Sequence, residues 1–98
     1  MDINQLRYFV SVAQTLSFTQ AAKRNGTTQP SISHHISELE KYVGAKLFLR
    51  DKRNVSLTAP GKELLPYAIE IIKTAETAIS NIRKIEEGVS GHIAISSV

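Results

Sequence analysis

The chain has 98 residues and no cysteine, which allows one small domain with an appendage and excludes both a disulfide framework and a thiolate metal site. No apolar run reaches the roughly 18 residues of a membrane span, and the opening Met1-Asp2-Ile3-Asn4 has neither the basic nor the apolar region of a signal peptide, so a cytoplasmic protein without membrane contact is expected. The net charge of +3 is divided unevenly: residues 1–58 carry eight Lys or Arg against four acids, residues 59–98 four against five, so positive charge is concentrated in the front module, as suits a polyanion partner or plain solubility.

The first apolar set, Leu6, Phe9, Val10, Ala13 and Leu16, has helical spacing, and Asp2 followed by Gln5 three residues later makes a capping box at its start. Ser17 and Gln20 repeat that signature ahead of Phe18, Ala21 and Ala22, and Asn25-Gly26 ends a second helix of about two turns. Thr27 or Thr28 caps a third helix with Pro30 in its first turn, where a missing N–H costs nothing. Its apolar residues Ile32, Ile36, Leu39 and Val43 share one face, and Gly44 ends it. Two helices joined by a short turn containing Gly, the second with a narrow buried stripe, form a helix-turn-helix over about residues 18–37. Leu47 to Arg50 and Asn54 to Thr58 then read as two strands around the polar turn Asp51-Lys52-Arg53. Beside a recognition helix such a hairpin is a wing; in isolation it reads equally as a surface turn with a solvated charged tip.

From Ala59-Pro60 to Glu87 only Pro66 interrupts a helical pattern, and it should bend the helix near its start. Leu65, Ala68, Ile72, Ala75, Ile79 and Ile82 follow steps of three and four, with a parallel row Leu64, Ile71, Ala78 and Ile85 spaced by seven. About 28 residues make a helix on the order of 42 Å long, too long to bury its stripe on so small a domain. The two rows therefore predict a homodimer seam; packing back on its own domain is the alternative. The mixture of Lys62, Lys73 and Lys84 with Glu63, Glu70 and Glu76 argues against a membrane-surface helix. On this reading, glutamates at Ile72 and Ile79 separate the dimer. Gly88-Val89-Ser90-Gly91 is expected to break the helix as a hinge, and His92 to Val98 alternates like a strand. One strand is not stable without neighbours, so the start of a further domain is expected at residues 88–98.

The architecture expected is mainly α: a winged helix-turn-helix of three helices plus a two-stranded β wing at 1–58, and a dimerisation linker helix at 59–87. With the apolar stripe of the third helix turned inward, Pro30, His34, Ser37 and Lys41 lie opposite it, Ser33 at its edge, and Thr28 and Gln29 at its amino end. Such a helix enters the major groove with its first residues at the base edges, where Gln matches adenine N6 and N7. Free N–H groups near Thr28 and Ser31 attract phosphate. Arg50 and Arg53 in the wing suit phosphates or a narrow minor groove; solvated surface charge is their alternative role. Lys23 and Arg24 at the end of the second helix equally favour its dipole. His34 and His35 point about 100° apart and do not chelate one metal, and no phosphate loop, carboxylate pair or nucleophile elbow is present. Neither catalysis, metal nor cofactor is expected. A helix-turn-helix used for protein contact, with the long helix as a scaffold, is the other reading.

Taken together these residues resemble the amino-terminal part of the LysR-type transcriptional regulators of bacteria. The likeness is carried by Leu6-Arg7-Tyr8-Phe9, Ser17-Phe18-Thr19-Gln20-Ala21-Ala22, Thr28-Gln29-Pro30-Ser31-Ile32-Ser33, Ile36-x-x-Leu39-Glu40, Gly44-x-x-Leu47-Phe48-x-Arg50 and Leu57-Thr58-x-x-Gly61, and extends over essentially the whole chain. The resemblance implies double-stranded promoter DNA as partner, with the third helix in the major groove and the wing at the adjacent minor groove. It also implies antiparallel pairing of linker helices, a dimer or tetramer, and a small-molecule effector bound by a further, carboxyl-terminal domain of periplasmic-binding-protein type. Gln29, Pro30, Ser33, His34 and Arg53 match that family's usual DNA contacts. Two positions depart from its pattern: Asn25, where Leu is common, and His34, where Arg is frequent.

Overall fold

The computed structural model describes residues 1–91, with side chains described through Gly88. In chain order the elements are α1 (Ile3–Thr15), α2 (Phe18–Arg24), α3 (Gln29–Val43), β1 (Phe48–Arg50), β2 (Val55–Leu57) and α4 (Ala59–Gly91). The mainly helical architecture with a two-stranded antiparallel wing is the one expected, and α1, α2 and α3 begin at the caps expected of them, Asp2, Ser17 and, of the two threonines, Thr28.

Asp2 Oδ1 accepts from the Gln5 N–H at 2.8 Å, and Gln5 Oε1 accepts from the Asp2 N–H at 3.4 Å, closing the capping box of α1. This helix is the centre of the fold, packed on α2, α3 and α4, and Leu6, Phe9 and Val12 are fully buried along it. Leu16 was expected on that stripe and Val12 was not. Leu16 instead occupies the left-handed C-cap, φ 52°, which swings its side chain out to about half exposure. A left-handed residue with a Cβ costs roughly 1–2 kcal/mol. Ser17 Oγ caps α2 by accepting from the Gln20 N–H at 3.0 Å. Phe48, at the start of β1, joins Phe9 and Phe18 with ring centres 5.4 and 5.8 Å away, so the wing is rooted in the core.

Asn25 gives the turn between α2 and α3 a polar lock. Its Nδ2 donates to Ala21 O at 2.8 Å and to Oγ of buried Ser11 at 2.9 Å. A polar residue at position 25 thus answers a polar residue under it on α1. We expect Asn25→Leu to lower stability by about 1–3 kcal/mol, the cost of an unmet buried hydroxyl, and Ser11→Ala added to it to recover most of the loss. Urea unfolding of the four members of that cycle measures the coupling; strictly additive losses would refute it.

Thr28 caps α3 through its hydroxyl, which accepts from the Ser31 N–H at 3.2 Å, and Gly44 closes it with φ 81° and an N–H bond to Glu40 O at 2.8 Å, a left-handed stop that favours glycine. Ile32, Ile36 and Leu39 are buried, whereas Val43, expected among them, is 39% exposed. The strands are three residues each, paired Phe48↔Leu57, Leu49↔Ser56 and Arg50↔Val55. Between α3 and β1, Glu40 reaches over so that Oε2 accepts from the N–H of Leu47 at 2.8 Å and of Phe48 at 3.4 Å.

The start of α4 is a close approach. Thr58 Oγ1 accepts from the Gly61 N–H at 3.0 Å and donates to Lys46 O at 2.6 Å. Gly61 is buried so tightly that a Cβ there would overlap the Leu47 carbonyl oxygen and lie 2.7 Å from a Leu57 methyl. The helix then runs through Pro66 to Gly91, past the break expected after Glu87: a single helical Gly costs about 1 kcal/mol relative to Ala, too little to end a long helix. The strand expected over His92 to Val98 lies outside the described residues.

Packing separates the two apolar rows of α4. Ala68 has no accessible surface, and Leu65 and Ile72 pack partly buried on the same core. Ala68 is therefore an intrachain residue, correcting its placement in a dimer seam; Leu65 and Ile72 share that inward role. At about 100° per residue the row Leu64, Ile71, Ala78 and Ile85 falls about a quarter turn round the helix, and Ala75 and Ile82 of the first row lie on the side nearest to it. Ile71, Ile82 and Ile85 are 41, 60 and 66% exposed. Arg7 Nη1 meets Glu76 Oε2 at 2.9 Å, tying α1 to α4. Every residue from Glu76 to Gly88 is exposed, so the second half of the helix projects from the domain, and the molecule is 59 Å long but only 25 by 19 Å across.

Candidate nucleic-acid interface

The exposed side of α3 carries the polar residues read from its periodicity. Pro30, His34, Ser37 and Lys41 are all exposed along it. Lys41 leans on Glu38, Nζ to Oε2 3.2 Å, an exposed pair of the kind worth at most about 1 kcal/mol and easily exchanged for another anion. At the amino end, Thr28 and Ser31 are joined in the cap. His34 stands open to solvent with its ring edge-on to His35, centres 5.6 Å apart. His35 turns the other way, against Tyr8 of α1 at 5.1 Å, which makes it part of the packing.

Gln29, Ser33 and Arg50 form one cluster. Gln29 Nε2 and Arg50 Nη2 both donate to Ser33 Oγ, at 2.9 and 3.1 Å, and the Arg50 guanidinium lies 3.5 Å from the centre of the Phe18 ring. Arg53 is placed differently. It sits at the tip of the hairpin, exposed and without an ion-pair partner among the described residues. The tip is ordered by Asp51, whose Oδ1 accepts from the N–H of Arg53 at 3.0 Å and of Asn54 at 2.8 Å. Those two bonds hold the Asp51 carboxyl below its ordinary pKa because they favour the charged form. The turn is therefore fixed at neutral pH and presents Lys52 and Arg53 outward; its anchoring fades only as pH falls through the lowered pKa.

Between α3 and β1 runs a shallow groove lined by Ser33, Ser37, Glu40, Lys46, Phe48 and Arg50, among others. Lys46 there is a cation that the sequence reading passed over, its ammonium 3.7 Å from Glu40 Oε1 and largely exposed. Glu40 braces the wing against α3 through its bonds to the Leu47 and Phe48 N–H groups. Nothing in the periodicity marks that role, since the bonds close only when the hairpin folds back. Arg24 is held by Gln14, Nη1 to Oε1 2.8 Å, leaving Lys23 as the open charge on that helix end. Among the described residues no group of His, Asp and Glu is arranged to hold a metal ion, and no helix is long and apolar enough to cross a membrane.

Residues 3–62 match the family model described as the bacterial regulatory helix-turn-helix protein, lysR family. The chain is 44% identical over 98 residues to the HTH-type transcriptional regulator IlvR of Caulobacter vibrioides, covering all of this chain and 33% of that one. It is 51% identical over 85 residues to the Hca operon transcriptional activator HcaR of Escherichia coli, covering 87% of this chain and 29% of that protein. The chain thus spans about a third of the length of these relatives. Its fold is similar to that in the crystal structure of the BenM DBD/benA site 1 DNA complex, with a TM-score of 0.82 at 36% identity over 94% of this chain and 100% of the other.

Proposed function

The chain belongs to the lysR family of bacterial regulatory helix-turn-helix proteins, as a DNA-binding domain and not an enzyme, and from that premise we propose that it reads promoter DNA as a dimer in the bacterial cytoplasm. The observation that carries this reading is the polar, carboxylate-free outer face of the first half of α3, with Thr28, Pro30, His34 and Ser37 exposed and Gln29, Ser31 and Ser33 half-buried, beside a wing whose Arg53 is unpaired among the described residues. Gln29, Pro30, Ser33 and His34 face the base edges of the major groove. Thr28 and Ser31 meet phosphate at the helix start, and Ser37 and Lys41 continue along the groove. Arg53 enters the adjacent minor groove, where negative potential is highest. His34, shorter than Arg and with a differently directed N–H, takes a different base edge from the one an Arg would take there.

Two substitutions test the division of labour. Gln29→Ala is expected to relax base preference at one position of the bound sequence by about 1–3 kcal/mol. Arg53→Ala weakens all sequences alike and makes the fall of log K with log salt shallower by about 0.9 per subunit. Fluorescence anisotropy against a selected duplex and its single-base variants, at several salt concentrations, reads both. Salt-independent binding would contradict a DNA interface and favour a protein partner.

The dimer rests on the outer row of α4, exposed except at Leu64, which is half-buried against the core. Leu64, Tyr67, Ile71, Ala78, Ile82 and Ile85 are placed symmetrically about a point between Thr74 and Ala75. A second helix running antiparallel therefore sets Leu64 against Ile85, Tyr67 against Ile82 and Ile71 against Ala78, and each contact occurs twice, as a two-fold interface requires. Ala75 and Ala78 near the axis let the backbones approach. Val43, Leu47, Pro60, Leu64 and Tyr67 line an apolar groove at one end of this row, which receives Ile85 of the second copy and accounts for the exposure of Val43. Small-molecule control, and assembly into tetramers, belong in this proposal to the longer chain, whose effector domain follows α4.

A further inference from the structure

We propose that Arg50 is a positioning residue for base readout and not a phosphate anchor, an inference that rests on the DNA-binding reading above. Four side chains from α2, α3 and β1 are linked in series: Phe18, Arg50, Ser33 and Gln29. Phe18 is buried with its ring edge-on to Phe48, so it is a fixed platform. Arg50 lies over that ring, its guanidinium carbon 3.5 Å from the centre, and from there Nη2 donates to Ser33 Oγ at 3.1 Å. Gln29 Nε2 donates to the same oxygen at 2.9 Å.

A serine hydroxyl has two acceptor sites and one proton. Both acceptor sites of Ser33 are filled, by Arg50 and by Gln29, so its O–H serves only as a donor, aimed by the two bonds it receives. One amide hydrogen of Gln29 is likewise committed. What remains on the carboxamide is a single N–H and the Oε1 acceptor, the pair that matches N7 and N6 of adenine. The series therefore fixes the tilt of the Gln29 amide before DNA arrives. Arg50 spends one of its five N–H donors on Ser33 and one face on Phe18; contact of its other donors with a phosphate is the alternative that the salt slope separates. The arrangement also requires arginine: a planar fork can stack on Phe18 and donate sideways at once, whereas a lysine ammonium cannot.

The test compares the wild-type chain with Gln29→Ala, Arg50→Lys, Arg50→Ala and the double variant Gln29→Ala/Arg50→Ala. The probes are a duplex selected by the wild type from random DNA, that duplex altered one base pair at a time, and a random duplex. Positioning predicts that both Arg50 variants lose discrimination at the base pair that Gln29→Ala relaxes, by roughly 5- to 150-fold. They keep wild-type affinity for random DNA, which also certifies their folding, and the slope of log K against log salt is unchanged. The double variant is no worse than the worse single one. Retained discrimination with a slope shallower by about 0.9 per subunit would make Arg50 a phosphate contact and overturn the proposal, as would additive losses in the double variant. Absence of salt-dependent binding by the wild type removes the DNA-binding reading itself, and the inference with it.

Discussion

Glutamate at both Ile71 and Ile82 is expected to convert the dimer to monomers and to lower affinity for a two-half-site duplex by about 100-fold or more, the advantage lost when the second half-site is no longer bound by a tethered subunit. Both side chains are substantially exposed in the single chain, 41 and 60%, so their replacement removes no intrachain core and the domain stays folded. A carboxylate buried without a partner in an apolar seam is costly enough to reject the pairing outright. Sedimentation velocity reads the mass and circular dichroism the fold; an unchanged sedimentation coefficient would sink the antiparallel seam. Ile72→Glu, which the bare periodicity treats as equivalent, is a different experiment. Ile72 packs against the core of its own domain, and a charge there unfolds α4 from α1 before it tests any interface.

The second large effect is expected at Gly61. Helix propensity alone predicts that alanine would stabilise this position by about 1 kcal/mol. The surroundings predict the opposite, because the added methyl overlaps the carbonyl of Leu47, a backbone group held in place by its bond from the Thr58 N–H at 3.0 Å. Overpacking of this kind costs about 1–3 kcal/mol, with the upper end expected where the obstacle is main chain. On a domain with a stability of about 5–15 kcal/mol that is a large share, and urea unfolding should show a clearly lowered midpoint. A midpoint equal to or above the wild type would mean that the first turn of α4 moves aside freely.

Element boundaries were legible wherever a side chain announces a backbone need. Asp2, Ser17 and Thr28 each satisfy an N–H that a helix start leaves open, and Gly44 supplies the left-handed stop, so local chemistry suffices. Burial was legible only where one face has one neighbour. In α1, surrounded by three helices, Val12 is as deeply buried as Phe9, and periodicity tuned to a single stripe misses it. In α4 the rows containing Ala68 and Ile71 look alike as sequence; which faces inward depends on where α1 lies. Tyr67 escaped notice because its apolar ring carries a hydroxyl. The exposed polar face of α3 followed directly from inverting the buried stripe, but the bonds joining Gln29, Ser33 and Arg50 span 21 positions of sequence and arise only when the hairpin closes.

The short segment from Lys46 to Phe48 joins the wing, α3 and α4: Glu40 holds its N–H groups, Thr58 its carbonyl at Lys46, and Gly61 lies against Leu47. In mechanical terms this segment is a fulcrum. With α4 packed on α1 as far as Glu76, the domain turns about this segment as one body, and the arm of α4 from Gly61 to Gly88 is then about 40 Å long, whereas the hairpin reaches only about 13 Å. A swing of about 5 Å at the far end of that arm is then a rotation of roughly 7°, which moves the hairpin tip by about 1.5 Å, half the length of a hydrogen bond. In the proposed dimer, leverage of this ratio would turn a coarse rearrangement between subunits into a fine adjustment of where the hairpin tip, with Arg53, stands.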